Sequence, residues 1–266
     1  MENSENSGTE NSGIPGQEFR DRLGDSQFLR GMHHRKHETD MPRHKRIVAL
    51  NVPHHITQRG NNRRDVFFSD ADRDVYLTLL ASYSQRFGVK IMGFCLMSNH
   101  VHVLAVPSRP DSLAKTFGRT HNDYARWLHI RRGESGHLWQ NRFFSCPMDD
   151  TYCWAVLAYI ERNPVRAGVV TKAENSIWSS AAAHLDCGPA PCWLDLERWR
   201  SAWNPERWGV VLKEGLYEAE LQERMREATQ GGRPFGSARF VAECEARLGM
   251  QLGKRKPGRK PKARAA

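Results

Sequence analysis

Three stretches of the chain carry apolar residues at the spacing of an amphipathic helix. They cover residues 70–87, 112–129 and 150–163, and Pro164 limits the third because it lacks a backbone N–H. Within each stretch an apolar residue recurs every three or four positions, which places these residues on one face of a helix. The pattern therefore predicts three helices that each bury one side.

Between these helices the apolar runs are short and rich in β-branched residues, as in strands. Four such runs are IVALNVPHHITQR, VKIMGFCLMS, HVHVLAVPS and HLWQNRFFSCPM. Only a turn around Ser98 and Asn99 separates the middle two, which predicts an antiparallel pair. The order strand, helix, strand, strand, helix, strand, helix predicts an α+β fold with a ferredoxin-like antiparallel sheet.

The segments that flank this central part differ from it in composition. Residues 1–40 are rich in Asn, Ser, Gly and Glu without an apolar period, which predicts a disordered N-terminal extension. We assign residues 41–188 to the main domain, residues 189–250 to a helical accessory region and residues 251–266 to a disordered basic tail.

The charge of the chain favours a polyanionic partner. There are 40 Lys and Arg against 30 Asp and Glu, which gives a formal charge of +10 and a pI near 9.6. Seven positive charges and no acidic residue fall within residues 254–266, and we expect them to attach to phosphates. A solvated tail that serves solubility is the alternative. The candidate DNA-binding residues of the tail are Lys254, Arg255, Lys256, Arg259 and Lys260.

Several classes of protein are disfavoured by composition. No apolar run approaches the roughly 18 to 20 residues that cross a bilayer, so we expect no membrane association. The opening residues MENSENSGTE have no basic or apolar segment, so we expect no secretory signal and a cytoplasmic location. The six Cys are scattered without a CxxC pair, which predicts neither a disulfide framework nor a zinc site.

The segment Asn99-His100-Val101-His102-Val103 is the most distinctive of the chain. Alternate residues of a strand point to the same face, so His100 and His102 project together and the two valines face the other side. Two imidazoles with an additional oxygen ligand can hold Mg²⁺ or Mn²⁺. A pair of half-exposed histidines without a ligand role is the alternative.

A second candidate group lies on the third predicted helix. Tyr159 and Asn163 are four residues apart, so they share one helical face. Tyrosine is a weak nucleophile at its ordinary pKa of about 10, but a metal ion that polarises a phosphate makes its attack feasible. Tyr152 is the alternative nucleophile, and packing in the core is the alternative role of Tyr159.

Together these motifs resemble the single-tyrosine HUH transposases, and among them the REP-associated tyrosine transposases. The resemblance rests on His100-Val101-His102 and on the helix sequence YIERNPVRAGVV, which begins at Tyr159. The segments HHITQRGNNR and WQNRF are also similar to segments of that group. The resemblance covers roughly residues 41–185.

The resemblance implies a ferredoxin-like nuclease core that binds single-stranded DNA with hairpin structure and cleaves it through a 5′-phosphotyrosine link, leaving a free 3′-OH. It implies that His100 and His102 are metal ligands for Mg²⁺ or Mn²⁺ and that Tyr159 is the nucleophile. Asn163 would be the third ligand on the metal side. The candidate DNA-binding residues outside the tail are Arg59, Arg63, Trp139, Gln140 and Arg142.

Two alternative functions remain open. A HUH replication initiator would share the core, but such proteins usually carry a helicase module or a second tyrosine. A non-catalytic DNA-binding protein or repressor would explain the charge but not the His pair or the spacing of Tyr159 and Asn163. We therefore predict a metal-dependent DNA nuclease and strand transferase that is nucleoid-associated, either as a monomer or as a homodimer.

Overall fold

A four-stranded antiparallel sheet forms the centre of the computed structural model, which describes residues 46–215 and 219–249. Its strands are β1 (His54–Arg59), β2 (Val89–Met97), β3 (His100–Pro107) and β4 (Phe144–Pro147). They lie in the order β2-β3-β1-β4, and each neighbouring pair is antiparallel. With helices after β1 and β3, this is the topology of a ferredoxin-like sandwich, so the predicted fold class is confirmed.

The helices of the described residues are α1 (Asp70–Phe87), α2 (Ser112–Arg132), α3 (Asp150–Arg166), α4 (Ala181–His184), α5 (Glu197–Arg200), α6 (Pro205–Glu214), α7 (Ala219–Gly231) and α8 (Ala238–Leu248). Short 3₁₀ turns cover Asn61–Arg63 and Ala173–Asn175. A capping box between Ser69 and Asp72 begins α1, and Gly88 ends it in the left-handed region at φ 66°.

Two elements differ in length from the prediction. Helix α3 continues past Pro164 to Arg166, because a proline removes only its own N–H and the amide of Ala167 still bonds the carbonyl of Asn163. Strand β4 is shorter than the predicted run of residues 137–148. The first residues of that run form a loop in which Trp139 makes one isolated bridge to Gly60.

Helix α3 covers the face of the sheet that carries the two histidines of β3. Leu104, which follows His102 on that face, packs in one buried cluster with Val156, Leu157 and Ile160 of α3. The opposite face is buried as well, and α1 and α2 pack against each other and contact β2. The histidine face is therefore an interior surface. The site lies at the end of this face that the helix leaves open.

The chain beyond α3 packs back onto this core. The buried carboxylate of Glu161 accepts hydrogen bonds from Ser180, His184 and Trp208, at 2.5, 2.6 and 2.9 Å. Helix α7 contacts β1 and β4. These contacts hold the C-terminal helices against the sheet and the tyrosine helix, and all described residues lie in one compact unit.

All six cysteines are free. Among the described residues, no helix is both long and apolar enough to cross a membrane. The predicted disordered extension of residues 1–40 and the basic tail of residues 251–266 lie outside the described residues.

Candidate active site

His100 and His102 stand on the same face of β3. In the sheet register His100 lies opposite Arg59 of β1, and His102 lies opposite Thr57. Directly opposed residues of antiparallel strands share a face, so Arg59 is a neighbour of the histidine pair. The two imidazole centroids are 5.0 Å apart, and Nδ1 of His100 donates to Oδ1 of Asn99 at 2.6 Å. Nε2 of His100 is thereby left as the nitrogen that can accept a ligand.

Burial keeps both imidazoles uncharged. It lowers the pKa of His100 to about 4, and the positive charge of Arg59 adds to the effect. The pKa of His102 lies well below the ordinary value of 6.5, mainly through burial and then through the neighbouring His55. Both rings are therefore neutral at pH 7 and can offer a nitrogen lone pair to a metal ion.

Tyr159 of α3 lies beside the histidine pair. Its ring packs edge-on against His102 at 5.7 Å between centroids and against His55 at 6.5 Å. The guanidinium of Arg166 lies over the same ring, with Cζ 4.6 Å from the centroid. The hydroxyl of Tyr159 also interacts with Arg226 of α7 and raises the pKa of that arginine. Arg226 thus lies where it can stabilise negative charge on the phenol oxygen, and Arg166 adds a positive charge over the face of the ring.

Tyr152, the alternative nucleophile, lies in different surroundings. Its ring packs against Phe235 with 4.6 Å between centroids. Phe235 is buried and follows α7, and its backbone N–H bonds the carbonyl of Pro147. The structure thus packs Tyr152 against the C-terminal segment, whereas it brings Tyr159 to the histidines.

Asn163 lies one turn after Tyr159 on α3 and is 8% exposed. Its Nδ2 has no hydrogen-bond partner among the residues that the structure describes, but this atom is a donor, so only the amide oxygen Oδ1 could bind a cation. The described part of the chain holds no cluster of three His, Cys, Asp or Glu side chains suited to a metal. An amide oxygen together with two neutral imidazoles is a donor set that accepts Mg²⁺ or Mn²⁺. The residue types present therefore suit a divalent ion, with the two imidazoles on one face of β3 and Asn163 on the helix that covers this face.

Three of the predicted DNA-binding residues of the core lie on segments next to His100. Arg59 and Gln140 are exposed, and the backbone N–H of Gln140 donates to the backbone carbonyl of Arg59. Arg63 is exposed in the neighbouring turn, where its carbonyl accepts from Nδ2 of Asn99. Arg142 is exposed at the end of the same loop as Gln140. Arg59, Arg63 and Gln140 thus form an accessible rim beside His100, whereas Arg142 lies near Arg46.

Trp139 lies differently from these four residues. Its ring is partly buried against Tyr124 and His121, and its Nε1 donates to the carbonyl of His121 at 2.9 Å. This side chain anchors the loop that carries Gln140 and Arg142. The five candidate residues of the tail lie outside the described residues.

Four side chains near the site were missed by the sequence analysis: His55, Arg166, Thr229 and Arg226. The register of β1 places His55 on the face of His102, a signal that strand alternation could have supplied once the pairing of β1 with β3 was known. Arg166 follows Pro164, where helix was not expected. Thr229 and Arg226 lie on α7, and nothing in their local sequence points to the histidines.

Residues 49–163 match the family described as "Transposase IS200 like". The matched segment contains the whole sheet and the residues His100, His102, Tyr159 and Asn163. The family resemblance predicted from the motifs is thereby confirmed for this part of the chain. No curated protein gives a significant match to the sequence.

Two solved structures are also similar to the chain. One is a REP-associated tyrosine transposase bound to a REP hairpin, with 17% identity and a TM-score of 0.45, covering 58% of this chain and 92% of that one. The other is a Deinococcus radiodurans protein described as a transposase, with 18% identity and a TM-score of 0.32, covering 45% of this chain and 96% of that one.

Proposed function

We propose, on the premise that residues 49–163 belong to the IS200-like transposase family, that this chain cleaves and rejoins single-stranded DNA through a covalent phosphotyrosine. Transposases are DNA-processing enzymes, so the class of substrate follows from the family. The observation that carries the finer proposal is the position of Tyr159, whose ring packs against His102 at 5.7 Å between centroids and whose hydroxyl interacts with Arg226.

In the first step the hydroxyl oxygen of Tyr159 attacks the scissile phosphorus. A bond forms between that oxygen and phosphorus, and the bond from phosphorus to the 3′ oxygen breaks. The phenol loses its proton, and the departing 3′ oxygen gains one to become the free 3′-OH. Arg226 stabilises the phenol oxygen as it loses its proton, and Arg166 adds positive charge over the ring. In the second step a 3′-OH attacks the phosphotyrosine and restores both the phosphodiester and the free tyrosine.

His100 and His102, together with Asn163, are the residues that would hold a divalent ion, Mg²⁺ or Mn²⁺. When bound, such an ion polarises the scissile phosphate and stabilises charge on its oxygens. The neutral state of both imidazoles supports this role, because a protonated ring has no lone pair to give.

The exposed rim of the site supports a single-stranded, hairpin-bearing DNA as the substrate. Arg59, Arg63 and Arg142 can each contact phosphate oxygens, and Gln140 can reach a base edge or a sugar. Contacts of this kind position the strand, while Tyr159 acts on one phosphate within it. The partner of the solved REP-associated relative is a REP hairpin, which makes hairpin oligonucleotides the first substrates to test.

The decisive experiment compares two tyrosine variants. The full chain is incubated with Mn²⁺ and end-labelled single-stranded hairpin oligonucleotides, and covalent protein–DNA adducts are resolved by denaturing electrophoresis. Tyr159→Phe keeps the ring packing and removes the attacking oxygen, so we expect the adduct to disappear. Tyr152→Phe is the matched control and should form the adduct. Peptide mapping that finds the nucleotide on Tyr152 would overturn the assignment.

The same assay tests the metal ligands and the non-catalytic alternative. His100→Ala should abolish the adduct while hairpin binding persists, because phosphate contacts elsewhere carry most of the affinity. Normal adduct formation by His100→Ala would show that the ion is not bound there. Tight hairpin binding by the wild type without any adduct would favour a DNA-binding protein over an enzyme.

A further inference from the structure

Helix α7 lies outside residues 49–163, yet it reaches the histidine side of the site. It packs against β1 and β4, and its residue Met225 is buried in the core. Thr229, which is 2% exposed, places its Oγ1 3.0 Å from Nδ1 of His55. The C-terminal helix is thereby joined to the strand that pairs with β3.

His55 is in turn joined to His102. Nε2 of His55 lies 2.8 Å from Nδ1 of His102, and the two rings are nearly parallel, with 11° between their planes. A hydrogen bond between two neutral imidazoles needs an N–H on one ring and a bare nitrogen on the other. Thr229, His55 and His102 thus form one line of hydrogen bonds whose direction depends on where the protons lie.

That direction decides whether His102 can bind a metal ion. When Nδ1 of His102 donates to His55, Nε2 of His102 is bare and can act as a ligand. When His55 donates instead, Nε2 of His102 carries the proton and cannot. The first arrangement needs an acceptor for the Nδ1–H of His55, and Thr229 Oγ1 is in place to accept it. The hydroxyl of Thr229 also interacts with the sulfur of Cys146, which can accept its proton and leave the oxygen free for this purpose.

We propose that Thr229 and His55 are positioning residues that hold His102 in the tautomer with a bare Nε2, and that α7 is for this reason part of the active site. The inference rests on the proposed metal role of His102. Hydrogen-bond partners of metal-binding imidazoles orient the ring and fix its tautomer, and their loss typically weakens metal binding by about 10- to 100-fold.

The wild-type protein provides the first test. Imidazole ¹⁵N spectra of the metal-free full chain, labelled at histidine, report which nitrogen of each ring is protonated. We expect His55 and His102 both to carry their proton on Nδ1. A proton on Nε2 of His102 would overturn the inference, and this result needs neither a variant nor a bound ion.

The second test measures Mn²⁺ affinity by electron paramagnetic resonance of the free ion, without DNA. Thr229→Val keeps the shape of the side chain and removes the acceptor, so its affinity should fall about 10- to 100-fold. Thr229→Ser should bind like the wild type. Thr120→Val is the matched control, because Thr120 is also fully buried but its Oγ1 has no partner among the described residues.

The outcomes separate this inference from the proposed function. Equal Mn²⁺ affinity of the wild type and Thr229→Val would refute the role of Thr229 and leave the metal site intact. Absence of Mn²⁺ binding by the wild type would refute the metal site, and the tautomers in the spectrum would still decide the role of Thr229. If circular dichroism shows that Thr229→Val does not fold, the wild-type spectrum and Thr229→Ser decide the question.

Discussion

His54 precedes His55 on β1 and faces the other side of the sheet, where burial fixes its charge. Its Nδ1 donates to the carbonyl of Val52 at 2.7 Å, and its Nε2 accepts from the backbone N–H of Ala49 at 3.2 Å. Both nitrogens are thus occupied in the neutral ring, and a second proton would meet the N–H of Ala49. Burial lowers the pKa of His54 to about 4, although the bond to Val52 acts in the opposite direction.

This environment predicts an acid-sensitive contribution to stability. The folded pKa of His54 is about 4 and the ordinary value is 6.5, so between these pH values the unfolded chain binds more protons than the native protein. The contribution is fully present above pH 6.5 and is lost as the pH falls toward 4. A single such histidine changes the free energy of unfolding by about 1.4 kcal/mol per pH unit.

Urea unfolding between about pH 7 and about pH 4.5 checks the prediction. This range roughly spans the unfolded and the folded pKa of His54. The dependence of the unfolding free energy on pH should be shallower in His54→Gln than in the wild type by about one proton. His137→Gln, at an exposed position, is the control and should keep the wild-type dependence. If His54→Gln keeps it too, His54 is not held neutral by the fold.

The predictability of the site also differs from residue to residue. His100 and His102 could be placed on one face because strand alternation relates residues two apart, and Tyr159 and Asn163 because a helix relates residues four apart. The partner of His55 could not be predicted in this way, since His55 and Thr229 are 174 positions apart. Such a contact depends on how α7 packs against the sheet, which local periodicity does not encode.

At the scale of the elements, Gly93 allows α3 to lie close to β2. A Cβ at this position would come 2.3 Å from Cδ1 of Leu157 and 3.1 Å from Oγ of Ser180. Leu157 is fully buried and precedes Tyr159 by two residues on α3. The bare backbone of Gly93 therefore helps to set the height of the tyrosine helix above the sheet.

We expect Gly93→Ala to move or strain α3. The added methyl group overpacks a buried contact, which typically lowers the free energy of unfolding by about 1–3 kcal/mol. Because Tyr159 is on the same helix, the yield of covalent adduct should fall as well. Urea unfolding and the hairpin cleavage assay measure the two effects.

Gly118→Ala is the matched control for this prediction. Gly118 is exposed within α2, and a Cβ there has no atom within 4 Å among the described residues. Alanine should stabilise the helix by about 0.5–1 kcal/mol and leave the adduct unchanged. Equal stability of Gly93→Ala and Gly118→Ala would show that a methyl group at residue 93 does not disturb the packing of α3 on β2.

The elements were predictable where local signals define them. Helix α1 follows from its apolar spacing, the cap at Ser69 and the stop at Gly88. Strand β4 was predicted too long, because the aromatic residues before it, Trp139 and Phe143, pack against buried aromatic side chains from a loop rather than from a strand. Apolar character showed that the segment is buried, but it did not define the backbone conformation.

At the scale of the whole molecule, the core offers arginines at the rim of the site, while a denser block of charge lies in residues 254–266, outside the described residues. The core charges act at fixed positions and can orient a strand. The tail has no apolar residue apart from alanine and proline, so its charges can act only through attraction to phosphates. We therefore expect the two groups to contribute differently to DNA binding.

Deleting residues 254–266 should weaken hairpin binding and flatten its salt dependence without removing the adduct chemistry. On single strands each neutralised phosphate contributes about −0.7 to the slope of log K against log salt, so the seven charges can change that slope by up to about 5. Fluorescence anisotropy over a series of salt concentrations measures it. Deletion of residues 1–13, a segment of equal length without Lys or Arg, is the control and should leave the slope as steep as in the full chain. Because counterion release depends on phosphates contacted and not on chain length, an unchanged slope after the C-terminal deletion would assign the tail to solubility instead.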